Sequence, residues 1–388
     1  MNLEGGLTRD LTSVPFTDLR AMAREVWPEV EQEYVACLLD GAYIGGPAIT
    51  AFEKEWAAYC GAGHAVGVAS GTDALELCLI ALGIGAGDEV IVPANTFIAT
   101  AAAVVRVGAT PRFADVSDDT LLMTSHTLAE AITPRTRAVI IVHLYGQMPD
   151  MTDLVGAALQ AGIAVIEDAA QAHGAEWAGR RAGSFGTAAC FSFYPAKNLG
   201  AFGDAGAVVT SKPELADQVR SLANHGRSRG QSHYDHDSIG TNSRLDALQA
   251  ILLSGKLARL DAWTDRRIVL ASRYRDLLSG TEFTGTGLRL TAVEPPARHV
   301  YHLFVVRVSR RDSVRAELAR RGIQTGVHYP TPCHRQPPLR RFAERPLPVA
   351  EQSAGELLSL PMFPHMTEGQ VDYVCESLRD ALRAATVG

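Results

Sequence analysis

The feature that constrains this chain most is an alternation running from residue 65 to residue 169. AVGVAS (65–70), DEVIVPA (88–94), TPRFADV (110–116), RAVIIVHL (137–144) and IAVIEDA (163–169) are strand-length runs, most of them rich in Val and Ile. Between them lie TDALELCLIALG (72–83), TFIATAAAVVRVG (96–108), HTLAEAI (126–132) and DMTDLVGAALQAG (150–162), each patterned as a helix of two to four turns. A strand followed by a helix before the next strand returns parallel rather than as a hairpin, and the helices cover both faces of the sheet. The fold class is therefore α/β with a mostly parallel central sheet.

The flanks are patterned differently. AMAREVWPEVEQEYVACLLDG predicts a helix ending at Gly41; the loop YIGGP (43–47) and a helix over 48–59 follow. Beyond the alternation come a β-prone run at 190–194, GAVVTS, a helix over 213–224 and the polar loop NHGRSRGQSHYDHDSIG. Residues 243–279 read as one long helix. The tail no longer follows the alternation, and runs through a strand HLFVVRVS (302–309), a helix VRAELARRG and a strand IQTGVHYP. LPVAEQSAGELLSLP and TEGQVDYVCESLRDALRAA are read as further helices. This predicts a large domain over 1–260, carrying the N-terminal segment, and a smaller α+β domain over 261–388. A chain of 388 residues can bury a core of that size.

Composition removes several classes of function. With 47% hydrophobic and 20% charged residues the chain is in the globular range. A formal charge of -7, with no dominant basic cluster, argues against a nucleic-acid surface. No apolar run approaches the roughly 18–20 residues of a membrane span. The start MNLEGGLTRDLTSVPF lacks a signal-peptide pattern, so the expectation is a cytoplasmic protein with no membrane partner. Six scattered cysteines without CxxC spacing fit reduced thiols. His233, His236 and Asp237 have the chemistry of metal ligands but no second ligand set, so no metal site is expected.

The chemistry concentrates between Ile163 and Thr210. The run Ala164–Ile166 delivers Glu167 and Asp168 to a strand end; the run 190–194 leads to Pro195-Ala196-Lys197 and a glycine-rich segment at 200–206. A partly desolvated lysine there has a lowered pKa and is an amine nucleophile. An aspartate beside it can pair with the ring nitrogen of pyridoxal phosphate (PLP). Ser70-Gly71-Thr72-Asp73, at a strand-to-helix switch, reads as an N-cap whose free N–H groups also suit a phosphate. Phe97 follows another such switch, where a flat ring can serve as core or stack on a flat ligand. His328, after a predicted strand and before two prolines, reads as a core or capping histidine as readily as a functional one. No GxGxxG follows a strand and no GxxxxGK[ST] occurs, so dinucleotide and nucleoside-triphosphate sites are not expected.

With these pieces assembled, the chain resembles the PLP-dependent sugar aminotransferases of the DegT/DnrJ/EryC1/StrS family. The likeness extends from VPFTDL (14–19) to LSLPMFPHMTEGQVDYV (358–374). It rests on GGPAITAFEKEWAAYCG, VASGTDAL, GDEVIVPANTFIAT, VHLYGQ, IEDAAQAHGA, FSFYPAKNLGAFGDAG, NHG, GTNSRLDALQA and GVHYPTPCH, in that order. The resemblance implies the fold-type I, aspartate-aminotransferase-like architecture and the cofactor PLP. It implies that Lys197 is the Schiff-base lysine, that Ser192 contacts the phosphate, and that Asp168 partners the pyridine nitrogen. Gln171 matches a residue near the ring hydroxyl, Gly71, Thr72 and Asp73 the phosphate cradle, and Phe97 the stacking ring. Asn242 matches an asparagine that reaches the cofactor of a neighbouring subunit, implying a homodimer with shared active sites. His328 matches a substrate-side histidine. The implied substrates are L-glutamate and a dTDP-linked keto-deoxysugar. FYPAKNLGAFGDAGAVVT is similar to members aminating C3 of 3-keto-6-deoxyhexoses, whereas C4 members more often carry FHxxKxxTxGEGG. A C4 aminotransferase, a PLP-dependent dehydratase and a non-catalytic regulator are the alternatives; in dehydratase members a histidine replaces the lysine, and here Lys197 stands.

Overall fold

A computed structural model describes residues 13–227 and 234–387. Two helices, α1 (Leu19–Asp40) and α2 (Pro47–Cys60), lead in, each ended by a left-handed glycine, Gly41 and Gly61. The alternation then runs as β1 (His64–Val68), α3 (Gly71–Ala81), β2 (Glu89–Pro93), α4 (Ile98–Arg106) and β3 (Thr110–Ala114). It continues through α5 (Ser125–Ala129), β4 (Thr136–Val142), α6 (Met151–Gln160) and β5 (Ala164–Asp168). A short ribbon, β6 (Glu176–Trp177) and β7 (Arg180–Arg181), precedes β8 (Ala188–Ser192), β9 (Gly206–Thr210) and α7 (Pro213–Ala223).

Seven of these strands form one sheet in the order β1-β9-β8-β5-β4-β2-β3. β9 alone runs against its neighbours, β8 and β1; the other pairs are parallel. Both faces are dry, as the unbroken apolar runs predict. Along β4, Ala138, Ile140 and Val142 enter one hydrophobic cluster while Val139 and Ile141 enter the other. Side chains alternate across a strand, so a buried sheet needs apolar residues at both phases. Burial of Ile140 and Ile141 contributes about 1.5–3 kcal/mol each. Among the described residues no helix is long and apolar enough to cross a membrane, and all six cysteines are free.

The C-terminal part holds α8 (Ala247–Leu257), α9 (Leu260–Leu278), β10 (Arg289–Leu290), β11 (Ala297–Arg298), β12 (Phe304–Arg307), α10 (Arg311–Arg320), α11 (Pro348–Glu356), β13 (Leu357–Leu360) and α12 (Glu368–Val387). Strands β10, β12 and β13 form a separate antiparallel sheet. Its cluster joins Phe304, Val306, Val314, Leu358, Val371 and Leu378 to Leu270 and Tyr274 of α9. Val14 packs there too, its N–H donating to Gly322 O.

Three expectations are corrected. The helix predicted over 243–279 is two, parted at Ala258 and Arg259. Ile251 and Leu252 of α8 and Trp263 of α9 all pack on Met22, Val26 and Val30 of α1, and only the later turns of α9, from Leu270 to Leu278, enter the C-terminal cluster. LPVAEQSAGELLSLP is not all helix. Its last residues, Leu357–Leu360, form β13 because all four are buried and pair with β12. IQTGVHYP is not a strand; it makes only isolated bridges from Ile323 to Val14 and from Gly326 to Ser359.

Candidate active site

The carboxyl ends of β1, β2, β4, β5 and β8 open on one cavity of about 370 Å³, which His328 and Tyr329 close from the C-terminal side. Open parallel sheets bind their ligands at this place.

Glu167 and Asp168 are parted by the strand that delivers them. Adjacent residues of β5 face opposite sides of the sheet. Glu167 is fully enclosed: it meets His143 Nε2 at 2.9 Å and accepts the N–H groups of Gly183 (2.9 Å), Phe185 (2.9 Å) and Gly186 (2.8 Å). Burial pushes its carboxyl up, yet His143 and these N–H groups together bring it below the usual range. Glu167 is thus a structural anion. Asp168 faces the cavity. Thr100 Oγ1 donates to its Oδ2 at 2.7 Å and Ala170 N–H to its Oδ1 at 3.2 Å. With that hydrogen committed, the 2.8 Å contact between Thr96 and Thr100 hydroxyls has Thr96 as donor. Burial holds Asp168 above the usual carboxylate range, outweighing Thr100, Ala170 and Lys197, which pull the other way.

Lys197 reaches the same cavity from the loop after β8. Burial lowers its ammonium to about 8, against the attraction of Asp168. Both groups are therefore shifted toward their neutral forms: loss of solvent outweighs their mutual attraction. Such a lysine supplies free amine near neutral pH.

The glycines beside the cavity are sites of close approach. Ser70 caps α3, its Oγ accepting the Asp73 N–H at 3.1 Å, and Ser70 O takes the Ala74 N–H at 3.0 Å. The N–H groups of Gly71 and Thr72, at the cavity wall, meet no acceptor among the described residues. A Cβ on Gly71 would lie 2.6 Å from Ser192 Cβ. A Cβ on Gly206 would lie 2.4 Å from the Ser70 carbonyl carbon and 2.8 Å from Gly71 N. Gly206→Ala is accordingly expected to displace this turn and to cost about 1–3 kcal/mol of stability, read as a lower denaturant midpoint.

The remaining predicted residues divide. Gln171 accepts the Tyr145 N–H at 2.6 Å and donates to Tyr329 Oη at 3.1 Å. Phe97 is 51% exposed rather than core, its ring 5.4 Å from that of Tyr329. His328 stacks on Phe16 at 5.8 Å, its Nδ1 sits 2.9 Å from Ser359 Oγ, and burial with nearby Lys197 lowers it to about 4. Ser192 lines the cavity and its Oγ accepts the Tyr194 N–H at 3.3 Å. Two residues stand apart. The Asp73 carboxylate is turned away to accept from Ser243 at 2.8 Å, and exposed Asn242 is outside the cavity, bridged to Asn224. His233 lies outside the described residues; His236 Nδ1 is 2.9 Å from His225 O. Among the described residues no group of three or more His, Cys, Asp or Glu could hold a metal ion.

Sequence reasoning missed Thr96, Thr100 and Tyr329. Thr96 lies in the bend before α4 and Thr100 in its first turn, and their hydroxyls meet at 2.8 Å. Tyr329 directly follows His328 in GVHYP.

The sequence profile of the DegT/DnrJ/EryC1/StrS aminotransferase family matches residues 27–379. The chain belongs to that family. It is 48% identical over 369 residues to dTDP-3-amino-3,4,6-trideoxy-alpha-D-glucose transaminase of Streptomyces venezuelae, spanning 95% of this chain and 96% of the relative. It is 45% identical to the UDP-N-acetyl-3-dehydro-alpha-D-glucosamine 3-aminotransferase of Acidithiobacillus ferrooxidans, over 96% of this chain and 98% of that one. The crystal structure of S. venezuelae DesV in complex with a ketimine intermediate superposes with a TM-score of 0.91 at 47% identity, covering 95% of this chain and 98% of that one. The protein is a PLP-dependent sugar aminotransferase of fold-type I architecture.

The cavity fits the cofactor. Two unmatched N–H groups stand at the start of α3, where Gly71 lets Ser192 approach closely, and a buried carboxylate and a desolvated lysine face the same volume. Orphan N–H groups at a helix start suit a phosphate, and a carboxylate suits a protonated ring nitrogen.

Proposed function

We propose that the protein transfers the amino group of L-glutamate to C3 of a dTDP-linked 3-keto-6-deoxyhexose. The observation that carries the chemistry is the convergence of Lys197 and Asp168 in one cavity, each shifted toward neutrality. PLP, when bound, is the sink into which the carbanion charge drains. In this reading Gly71 and Thr72 N–H groups and the Ser192 hydroxyl hold the phosphate. Asp73 contributes indirectly, its carboxylate tying the start of α3 to Ser243. Asp168, kept in place by Thr100, holds the proton on the ring nitrogen, whose positive charge offsets the cost of burying the carboxylate. Phe97 covers one face of the ring and Gln171 stands near the ring hydroxyl. Lys197 Nζ, as free amine, would take the proton from the donor's Cα and pass it on within the same half-reaction, and would deliver a proton to C3 of the sugar in the second. Because the amino group is carried by the cofactor between the two, the kinetics would be ping-pong. His328, held neutral by its surroundings, faces the substrate side.

The C3 assignment is supported by the S. venezuelae relative, whose name specifies a 3-amino sugar, and by the A. ferrooxidans relative, named as a 3-aminotransferase. The nucleotide carrier follows the first of these. Asn242, exposed and outside its own cavity, suits contact with the cofactor of a second copy, so the active unit is read as a cytoplasmic homodimer. The division near residue 260 belongs to the same reading, since the C-terminal sheet has its own cluster. The test is a spectrum followed by a product analysis. L-glutamate is expected to move the visible absorbance of the bound cofactor into the ultraviolet, and a panel of 3-keto and 4-keto nucleotide sugars should yield the 3-amino product. A 4-amino product would replace the C3 assignment, and a deoxygenated product without amine would establish the dehydratase.

A further inference from the structure

Lys256, on α8, is only 4% exposed and is unused by the chemistry above. An ammonium in such a place is costly unless something compensates it. What meets it is not a carboxylate. Its Nζ donates to the carbonyl of Gly200 and lies 4.6 Å from the centroid of the Phe202 ring, two electron-rich partners of a cation. Two turns earlier on the same face of α8, Gln249 Oε1 accepts the Phe202 N–H at 2.8 Å.

Both partners belong to the loop that carries Lys197. Lys197 N–H donates to Tyr194 O at 2.8 Å, and Ala201 N–H returns to Phe193 O at 2.8 Å. Gly200 permits no side chain here, since a Cβ would lie 2.3 Å from Pro195 O. On the other flank Asn198 Nδ2 donates to Val300 O at 3.1 Å. The turn is thus gripped by the segment at Val300 on one side and by α8 on the other.

We propose that Lys256 is a positioning residue for Lys197: together with Gln249 it fastens the Gly200–Phe202 end of the loop to α8, so that the reactive amine enters the cavity from one fixed base. The proposal rests on the role assigned to Lys197. Burial lowers the Lys256 ammonium to about 8, as it does that of Lys197, and in either protonation state its Nζ keeps an N–H to donate to the Gly200 carbonyl.

The experiment compares Lys256→Met, which keeps the apolar stem and removes the charge, with Gln249→Ala, a partly exposed position on the same helix face. In cofactor-free protein, amide hydrogen exchange across residues 195–203 is expected to rise about tenfold in Lys256→Met and less in Gln249→Ala. In the loaded enzyme the pH midpoint of the cofactor's visible absorbance should move by about half a unit or more. The half-reaction with L-glutamate should slow about tenfold, the scale of a misplaced catalytic group. Exchange and spectral midpoint equal to wild type in Lys256→Met would make Lys256 a packing residue and overturn the proposal. Should that variant fail to fold, an unchanged Gln249→Ala overturns it by itself. If Lys197→Ala retained turnover, the assignment of Lys197 would fall instead, while exchange in cofactor-free protein would still judge the fastening.

Discussion

Replacing Lys197 by alanine is expected to lower turnover by on the order of 10⁴-fold or more, because in the proposed mechanism one side chain serves as nucleophile and as proton carrier. The visible absorbance that depends on the lysine should vanish. The fold should survive, since burial already disfavours the ammonium and outweighs what Asp168 returns. Deleting such a group removes a desolvation cost and leaves no unpaired partner in solvent-free surroundings beyond Asp168 itself. The measurement is steady-state turnover beside a thermal unfolding curve. A folded variant working above about a hundredth of the wild-type rate would take Lys197 out of the chemistry, since general acid–base loss alone exceeds that.

The second large effect is expected at Asp168. Asp168→Asn keeps the shape and the hydrogen bond from Thr100 but cannot offset a positive ring nitrogen, so turnover should fall about 10³-fold through loss of a charge-assisted pair. Stability of the cofactor-free protein should move the opposite way. Burial raises the carboxyl of Asp168 in the folded state. A raised acid favours folding below the ordinary aspartate value, and that contribution is lost as pH rises through the raised one. An asparagine has no such loss, so cofactor-free Asp168→Asn should gain on wild type as pH increases toward neutrality. Paired titrations of unfolding midpoint against pH would show it. A variant both active and less stable than wild type at neutral pH would mean that Asp168 is a structural anion like Glu167.

That contrast shows how far sequence alone reaches. IEDAAQAHGA places two acids at a strand end, and the period of a strand says that they diverge; it does not say which one meets the ligand. His143 and the 183–186 turn, brought in from elsewhere in the chain, decide it by enclosing Glu167. Likewise the SGTDAL cap was readable as a helix start, but only the passage of β9 beside Ser70 explains why Gly206 has no room for a side chain.

The sequence by itself determined the layered α/β sheet, the ends of its strands and the lysine and aspartate that converge there, because alternating burial and helical spacing are local patterns. Tertiary structure alone decided what depends on distant partners. Leu357–Leu360 became a strand because β12 offered an edge, and beyond the break at Ala258 and Arg259 the later turns of α9 bury in the C-terminal cluster. The shifts of Lys197 and Asp168 belong to this second class: desolvation is a property of the enclosing cavity, and no single segment of the chain contains it.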